Sequence, residues 1–321
     1  MSDSRAEAPS RAALVAAFAA IYIIWGSTYL GIRFAVETLP PFLMAGARFL
    51  IAGGLLYGWS WMRGASRPTR RTWISAAIIG ALLLLGGNGL VTWAEQTVPS
   101  GIAALLIASE PLWVVLLNWL RPKGRRPSLL NALGVLAGFG GVALLMGPGT
   151  ITGVDAINPW GAAAILLAAG SWAAGSLYAR SAPRPESGAQ MSGMQMLAGG
   201  VFLLLVAIVS GDWTRFSLES VSLRSALAFG YLTVFGSLVA FSAYAWLVKH
   251  TTATRASTYA YVNPVVAVLL GWALAGEAVS ARTLVAGAVI VGAVVLISVS
   301  QPEPSLTTTA ASEGKAARAA T

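Results

Sequence analysis

The chain contains no cysteine, which excludes disulfide bonds, thiol nucleophiles and thiolate metal ligands. Charge is also scarce, because Asp, Glu, Lys and Arg make up 10% of the 321 residues. A soluble globular domain carries roughly 25%. The single histidine, His250, lies at the boundary of an apolar run with no plausible partner for a ligand or base role. No GxxxxGK[ST] loop occurs, so we expect no ATP hydrolysis, no cofactor and no metal site.

The same scarcity argues against an enzyme. Catalysis within a membrane needs clustered catalytic groups. This sequence has one histidine, no cysteine and a single carboxylate, Glu110, placed deep in an apolar run. We therefore predict that the protein has no catalytic residues.

Hydrophobic residues, in contrast, make up 56% of the chain. They are gathered in runs of about 20 residues, the length that crosses a bilayer as a helix. We predict an all-α membrane protein with ten transmembrane helices. The predicted spans are 12–34, 41–62, 73–94, 101–120, 129–147, 159–180, 190–210, 224–247, 255–275 and 282–300. The first run is too long for a signal peptide, so we expect it to be retained.

The positive residues predict the orientation. If the N-terminus is cytoplasmic, 16 of the 21 Lys and Arg residues fall in inner segments and three in outer loops. Cytoplasmic loops are the ones enriched in Lys and Arg, so both termini are predicted inside. Because the basic residues are spread over short loops rather than gathered in one patch, we expect membrane lipid, and not nucleic acid, as a partner.

Two halves of the sequence repeat. Trp25 and Trp172 are 147 positions apart, and Pro111 and Pro264 are 153 apart. Five spans per half is an odd number, which predicts two five-helix repeats of inverted topology. The predicted organisation is a cytoplasmic tail 1–11, a first repeat 12–147, an outer linker 148–158, a second repeat 159–300 and a disordered cytoplasmic tail 301–321.

A proline interrupts the fourth and the ninth span, and a polar residue precedes it in each: Glu110 before Pro111, and Asn263 before Pro264. Proline removes a helical hydrogen bond and leaves a carbonyl unpaired. Paired interruptions in matching spans of two halves point to the binding site of a transporter.

Four stretches carry a family resemblance: Tyr22-Ile-Ile-Trp-Gly-Ser-Thr-Tyr29, Ala45-Gly-Ala-Arg-Phe-Leu50, the segment from Gly87-Asn-Gly89 to Pro99-Ser-Gly-Ile-Ala-Ala104, and Tyr259-Ala-Tyr-Val-Asn-Pro264. They resemble the EamA family of the drug/metabolite transporter superfamily. The resemblance covers about residues 12–300. It implies ten spans, two EamA repeats, a bacterial inner-membrane location and export of small metabolites or drugs.

The candidate site residues are polar or aromatic side chains near mid-membrane. Glu110 lies about 14 Å and Arg48 about 10 Å below the outer face at 1.5 Å per residue. They are predicted to form an ion pair that is either structural or a site for a proton or a charged substrate. The tryptophans near mid-depth either pack the core or line a cavity, and the neutral polar residues either bind substrate or bond neighbouring helices. The predicted substrate-binding residues are Trp25, Ser27, Asn88, Glu110, Trp113, Trp172 and Asn263.

The sequence is most consistent with a secondary active transporter that exports small amphipathic metabolites, such as amino acids, or drugs by alternating access. A passive facilitator or channel is the alternative, although a channel favours a continuous polar stripe. Protons or a counter-substrate remain open as coupling partners. A homodimer is also open. The Gly134-x-x-x-Gly138 motif is a close-packing motif, and we favour packing within the chain over a dimer interface for it.

Overall fold

The computed structural model describes residues 10–121, 126–147, 157–251, 255 and 258–299. The predicted tails, apart from residues 10 and 11, and most of the predicted outer linker lie outside this part of the chain. Its regular secondary structure is helical, with no β-strand among the described residues. In the first half the helices are α1 Arg11–Ala35, α2 Pro41–Met62, α3 Arg70–Ala94, α4 Ser100–Leu120 and α5 Leu129–Leu145.

In the second half the helices are α6 Pro159–Ala179, α7 Gly188–Val209, α8 223–250, α9 Tyr259–Ala275 and α10 Ala281–Val299. A short helix Asp212–Arg215 and a 3₁₀ turn Leu218–Ser220 connect α7 to α8. Eight of the described helices are long and apolar enough to cross a membrane, while α5 and α9 are shorter apolar helices. Each predicted span thus has a helix, and the chain is a multi-pass membrane protein.

Polar side chains define where several helices begin. Ser, Thr or Asn side chains accept a hydrogen bond from the first turn of α1, α3, α5, α6, α7 and α8. Two helices of the first half are capped by carboxylates of the second half. Asp212 accepts from the backbone N–H groups of Phe42 and Leu43 at the start of α2. Glu277 does the same for α4, so the two halves are joined at helix ends.

Glycines let α2 and α7 cross backbone to backbone. A Cβ at Gly53 would lie 3.0 Å from the carbonyl oxygen of Gly193, and a Cβ at Gly200 would lie 3.1 Å from that of Gly46. Gly46 and Gly193 are 147 positions apart, and so are Gly53 and Gly200. The crossing is therefore symmetric with respect to the two sequence repeats: each glycine faces the residue equivalent to the other glycine of its own repeat.

The glycines of α5 also pack within the chain. A Cβ at Gly134 would lie 2.7 Å from Ile297 of α10, and one at Gly138 would lie 2.5 Å from Leu112 of α4. Gly141 faces Ile290 in the same way. This close packing agrees with the intrachain interpretation of the Gly134-x-x-x-Gly138 motif.

Irregular helices surround the centre of the bundle. Wider turns with π-type hydrogen bonding occur at Ile21–Trp25 in α1, Gly80–Gly89 in α3 and Leu232–Val239 in α8. The last two lie in equivalent spans of the predicted repeats. Such bulges are frequent at functional sites. In α4 the helix stops at Ile107 and resumes at Glu110, just before Pro111.

The expected interruption of α9 is wrong. This helix runs from Tyr259 to Ala275 with Pro264 inside it. α1 packs closely along this region, because a Cβ at Gly26 would lie 2.7 Å from Val266 and 3.3 Å from the carbonyl oxygen of Asn263. We attribute the continuity of α9 to this support. In α4, Pro111 falls in the first turn after the break, a position that helices tolerate.

The two ends of the bundle differ in packing. We call the end at which α1 begins and α10 ends the near side, and the opposite end the far side. Far-side ends of α1, α3, α4, α6 and α8 meet in two buried apolar clusters. On the near side, Arg11–Ala20 of α1 has no buried residue, and Glu110–Leu120 of α4 has one, Leu112. Around α1 and α4 the far side is therefore the more tightly closed end, although α3 and α7 also meet in a buried cluster on the near side.

Candidate functional site

A central cavity lies where the two halves meet. Its empty volume is about 950 Å³ including its open mouth, and its lining comes from α1, α2, α3, α4, α6, α8 and α9. The irregular segments of α1, α3, α4 and α8 all contribute to this lining. Of the predicted substrate-binding residues, the structure brings five to the wall of the cavity: Trp25, Asn88, Glu110, Trp172 and Asn263.

One wall is an aromatic cluster around Trp25. The Trp25 ring centroid lies 5.6 Å from Phe241, 5.3 Å from Tyr244 and 5.0 Å from Tyr259. The edge and tilted geometries are those that aromatic quadrupoles favour. The indole N–H of Trp25 donates to the carbonyl oxygen of Gly236 at 3.3 Å. Gly236 lies in the widened segment of α8, so the bulge supplies a partner for the half-buried indole.

The opposite wall carries Arg48, which is 5% exposed. Its Nη2 donates to Oδ1 of Asn88 at 3.2 Å, and its guanidinium carbon lies 4.2 Å from the ring centroid of Phe49. Nε and Nη1 of Arg48 have no hydrogen-bond partner among the described residues. Two of its nitrogen atoms are thus available to an acceptor in the cavity.

The predicted ion pair between Arg48 and Glu110 is not formed in the structure. Arg48 bonds to Asn88 instead, and within the described residues no cation lies at salt-bridge distance from Glu110. The expectation rested on equal depth along two spans. Depth does not specify the direction of a side chain around the bundle, and here both residues face the cavity without meeting.

Glu110 is the first residue of the second half of α4. A carboxylate at this position is stabilised by the helix dipole. Among the described residues it has no hydrogen-bond donor, although Arg180, at the near-side end of α6, exerts an electrostatic attraction on it. The carboxylate is therefore free to bind a donor that enters the cavity.

The remaining predicted residues divide into two groups. Trp172 lies against Gly87 and faces the cavity, while the side-chain oxygen of Asn263 is buried without a partner in the described part of the chain. Ser27 and Trp113 do not line the cavity. The Ser27 hydroxyl bonds to Tyr231 and to the Ile24 carbonyl. Trp113 packs edge-on against Phe139.

Sequence reasoning missed several cavity residues. Tyr29, Phe241 and Tyr259 line the wall, and Thr28 stands beside them. Both tyrosines, Tyr29 and Tyr259, lie within the stretches that carry the family resemblance, and this position was the signal that could have identified them. Phe241 had none, because one phenylalanine in an apolar span cannot be distinguished from lipid-facing neighbours.

Comparisons with known proteins agree with this architecture. Residues 11–147 and 159–299 each match the EamA-like transporter family. The inner membrane transporter YedA of Escherichia coli K12 is 44% identical over 288 residues, which cover 89% of this chain and 90% of YedA. The transporter YvbV of Bacillus subtilis is 26% identical over 264 residues, covering 81% of this chain and 82% of YvbV.

A solved crystal structure shares the fold. It aligns with a TM-score of 0.60 and 24% identity, covering 89% of this chain and 96% of the other. The two repeat matches and the extent of identity to YedA confirm the family resemblance read from the sequence. The chain belongs to the EamA-like transporter family.

Proposed function

We propose that the protein is a secondary active exporter of small amphipathic compounds bearing an amino group, amino acids foremost, across the bacterial inner membrane. The observation that carries this proposal is the central cavity, which holds an aromatic cluster, an unpaired carboxylate and a guanidinium with free donors. Transporter families commonly place the substrate where two repeats meet.

The two charges of the cavity suit a zwitterion. Glu110 can accept from an ammonium group, and Nε and Nη1 of Arg48 can donate to a carboxylate. Trp25 and its aromatic neighbours offer flat apolar faces, which also attract cations. A sugar phosphate would require clustered Lys or Arg, and Arg48 is the one cation among the lining residues of this cavity. An apolar amino acid or a related amine is the favoured cargo.

The proposed architecture is ten membrane crossings in two inverted repeats. α5 and α9 have 17 residues each, about 25 Å of helix, which is close to the hydrocarbon thickness. At the α2–α7 crossing, Gly53 faces Gly193 and Gly46 faces Gly200, so the two pairs of residues related by 147 positions are exchanged across the contact. A two-fold axis in the membrane plane produces this exchange, and the matching bulges of α3 and α8 support it.

The proposed mechanism is alternating access. With the near side taken as cytoplasmic from the Lys and Arg distribution, the packed far side closes the cavity toward the outside. The conformation described is then inward-facing, the state in which an exporter accepts cargo. A channel would need a path through the far-side clusters, so the packing favours a carrier over the passive alternative.

Topology can be tested directly because the chain has no cysteine. In intact cells, a membrane-impermeant maleimide should label Glu219→Cys, on the exposed far-side turn, and leave Ser66→Cys, in the near-side α2–α3 loop, unlabelled until the cells are opened. If Ser66→Cys were labelled in intact cells and Glu219→Cys were not, the predicted orientation would be wrong.

The tryptophans provide a matched set of variants. Trp25→Ala and Trp172→Ala should lower substrate counterflow per folded molecule in liposomes at least severalfold, because both rings line the cavity. Trp113→Ala serves as the control, since this ring packs outside the cavity and its loss should reduce folded yield but not specific counterflow. Equal specific counterflow in all three variants would contradict the assignment.

The two charges predict opposite selectivity changes. The parent should prefer an apolar amino acid over its N-acetyl derivative and over its carboxamide by roughly 10- to 100-fold each, as expected for charged hydrogen bonds. Glu110→Gln should abolish the first preference alone, and Arg48→Gln the second alone, measured by competition in counterflow normalised to folded protein. Glu219→Gln, an exposed carboxylate elsewhere, is the control. Loss of both preferences in each variant would refute the zwitterion arrangement.

A further inference from the structure

A fully buried carboxylate lies outside the cavity, at the far-side end of α3. Glu95 follows the last residue of this helix and is 0% exposed. Neither of its carboxylate oxygens has a hydrogen-bond partner among the described residues. Its backbone carbonyl accepts from Nη1 of Arg33 at 2.6 Å. Arg33 therefore donates to the main chain of Glu95, and the carboxylate oxygens have no donor at hydrogen-bond distance.

In the part of the chain that the structure describes, three ionisable groups interact electrostatically with Glu95. Arg33 and Tyr29 come from α1, and Glu277 comes from the turn between α9 and α10. Glu277 is committed to the start of α4, where Oε1 accepts from the N–H and the hydroxyl of Ser100 at 2.6 and 2.8 Å and Oε2 accepts from the N–H of Gly101 at 2.9 Å. Burial and the Glu277 charge raise the pKa of Glu95 well above its ordinary range, and Arg33 offsets part of this rise.

An ionised Glu95 is incompatible with the closed far side. A buried charge without hydrogen bonds strongly destabilises the state that contains it. Two routes relieve this cost: the carboxylate binds a proton, or water reaches it. Water is excluded by the apolar cluster that contains Ala94, Val98 and Ile102. Closure of the far side and protonation of Glu95 are thus thermodynamically linked.

Tyr29 connects this carboxylate to the cavity. Its ring packs against the same far-side cluster and also lines the cavity wall. Its hydroxyl lies in the electrostatic field of both Glu95 and Glu110. One side chain thus lies between the far-side carboxylate and the cavity wall.

We propose that Glu95 is a proton-binding group that controls opening of the far side, protonated while the far side is closed and ionised when that side opens to water. Ionisation breaks the carboxyl O–H bond and passes the proton to a water molecule on the far side, and binding reverses this transfer. The proposal rests on the alternating-access mechanism given above, and it adds to that mechanism a group whose protonation state controls opening of the far side.

Stability against pH is the first test. Because the pKa of Glu95 is raised in the folded protein, protonation stabilises the fold fully below the ordinary glutamate pKa, and this contribution is lost as pH rises through the folded value. The parent and Glu95→Asp should melt at lower temperature as pH rises through this range, while Glu95→Gln should lack this part of the decline. Glu219→Gln is the control and should follow the parent. An identical decline in Glu95→Gln and the parent would overturn the proposal.

Accessibility of Val98 is the second test. Val98→Cys introduces a thiol into the buried cluster, and Thr97→Cys, which is exposed beside it, corrects for the pH dependence of the reagent. In nanodiscs, corrected labelling of Val98→Cys should rise with pH by up to about tenfold per unit, and Glu95→Gln should remove this rise. No rise in the parent, or the same rise in Glu95→Gln, would overturn the proposal. Substrate counterflow by the parent, measured separately, reports on the proposed function independently of these results.

Discussion

Polar groups inside a membrane must find hydrogen-bond partners within the protein. At the centre of this bundle several polar side chains lack such a partner, and the cavity lies where they do. Nε and Nη1 of Arg48 and the side-chain oxygen of Asn263 have no partner among the described residues. Glu110 faces the same space without a donor in this part of the chain. Such groups are costly in an empty apolar interior. A cavity that holds water and then cargo is the arrangement that makes them tolerable.

The regular and irregular helices have different tasks. α2 and α7 cross through glycines, and α5 and α10 pack through glycines, without π-type turns or breaks in these four helices. α1, α3 and α8 contain widened turns, and α4 is interrupted; all four line the cavity. We infer that the glycine-packed pairs act as stiff supports, and that the irregular helices supply free carbonyls and the freedom to move.

Much of this architecture could be predicted from the sequence because each helix is indicated by many apolar residues together. Long apolar runs located the helices, and the spacing of 147 that pairs Trp25 with Trp172 also pairs the glycines of the α2–α7 crossing. Pairwise contacts could not be predicted. Arg48 and Glu110 lie at similar predicted depths, but their side chains point in different directions around the bundle and do not meet. Pro264 did not break α9, because α1 packs closely along it. Glu95 was overlooked because a carboxylate at a span end reads as solvated.

In the proposed mechanism, one cavity opens alternately to the two sides of the membrane. This mechanism is tested most directly by electron spin-resonance distances in the cysteine-free chain, with one label pair on the far side at Thr97 and Glu219 and one on the near side at Ser66 and Leu120. Each pair should show two populations, and a pH change or substrate should lengthen one distance while shortening the other. Single, unchanging distances at both ends under all conditions would contradict the account.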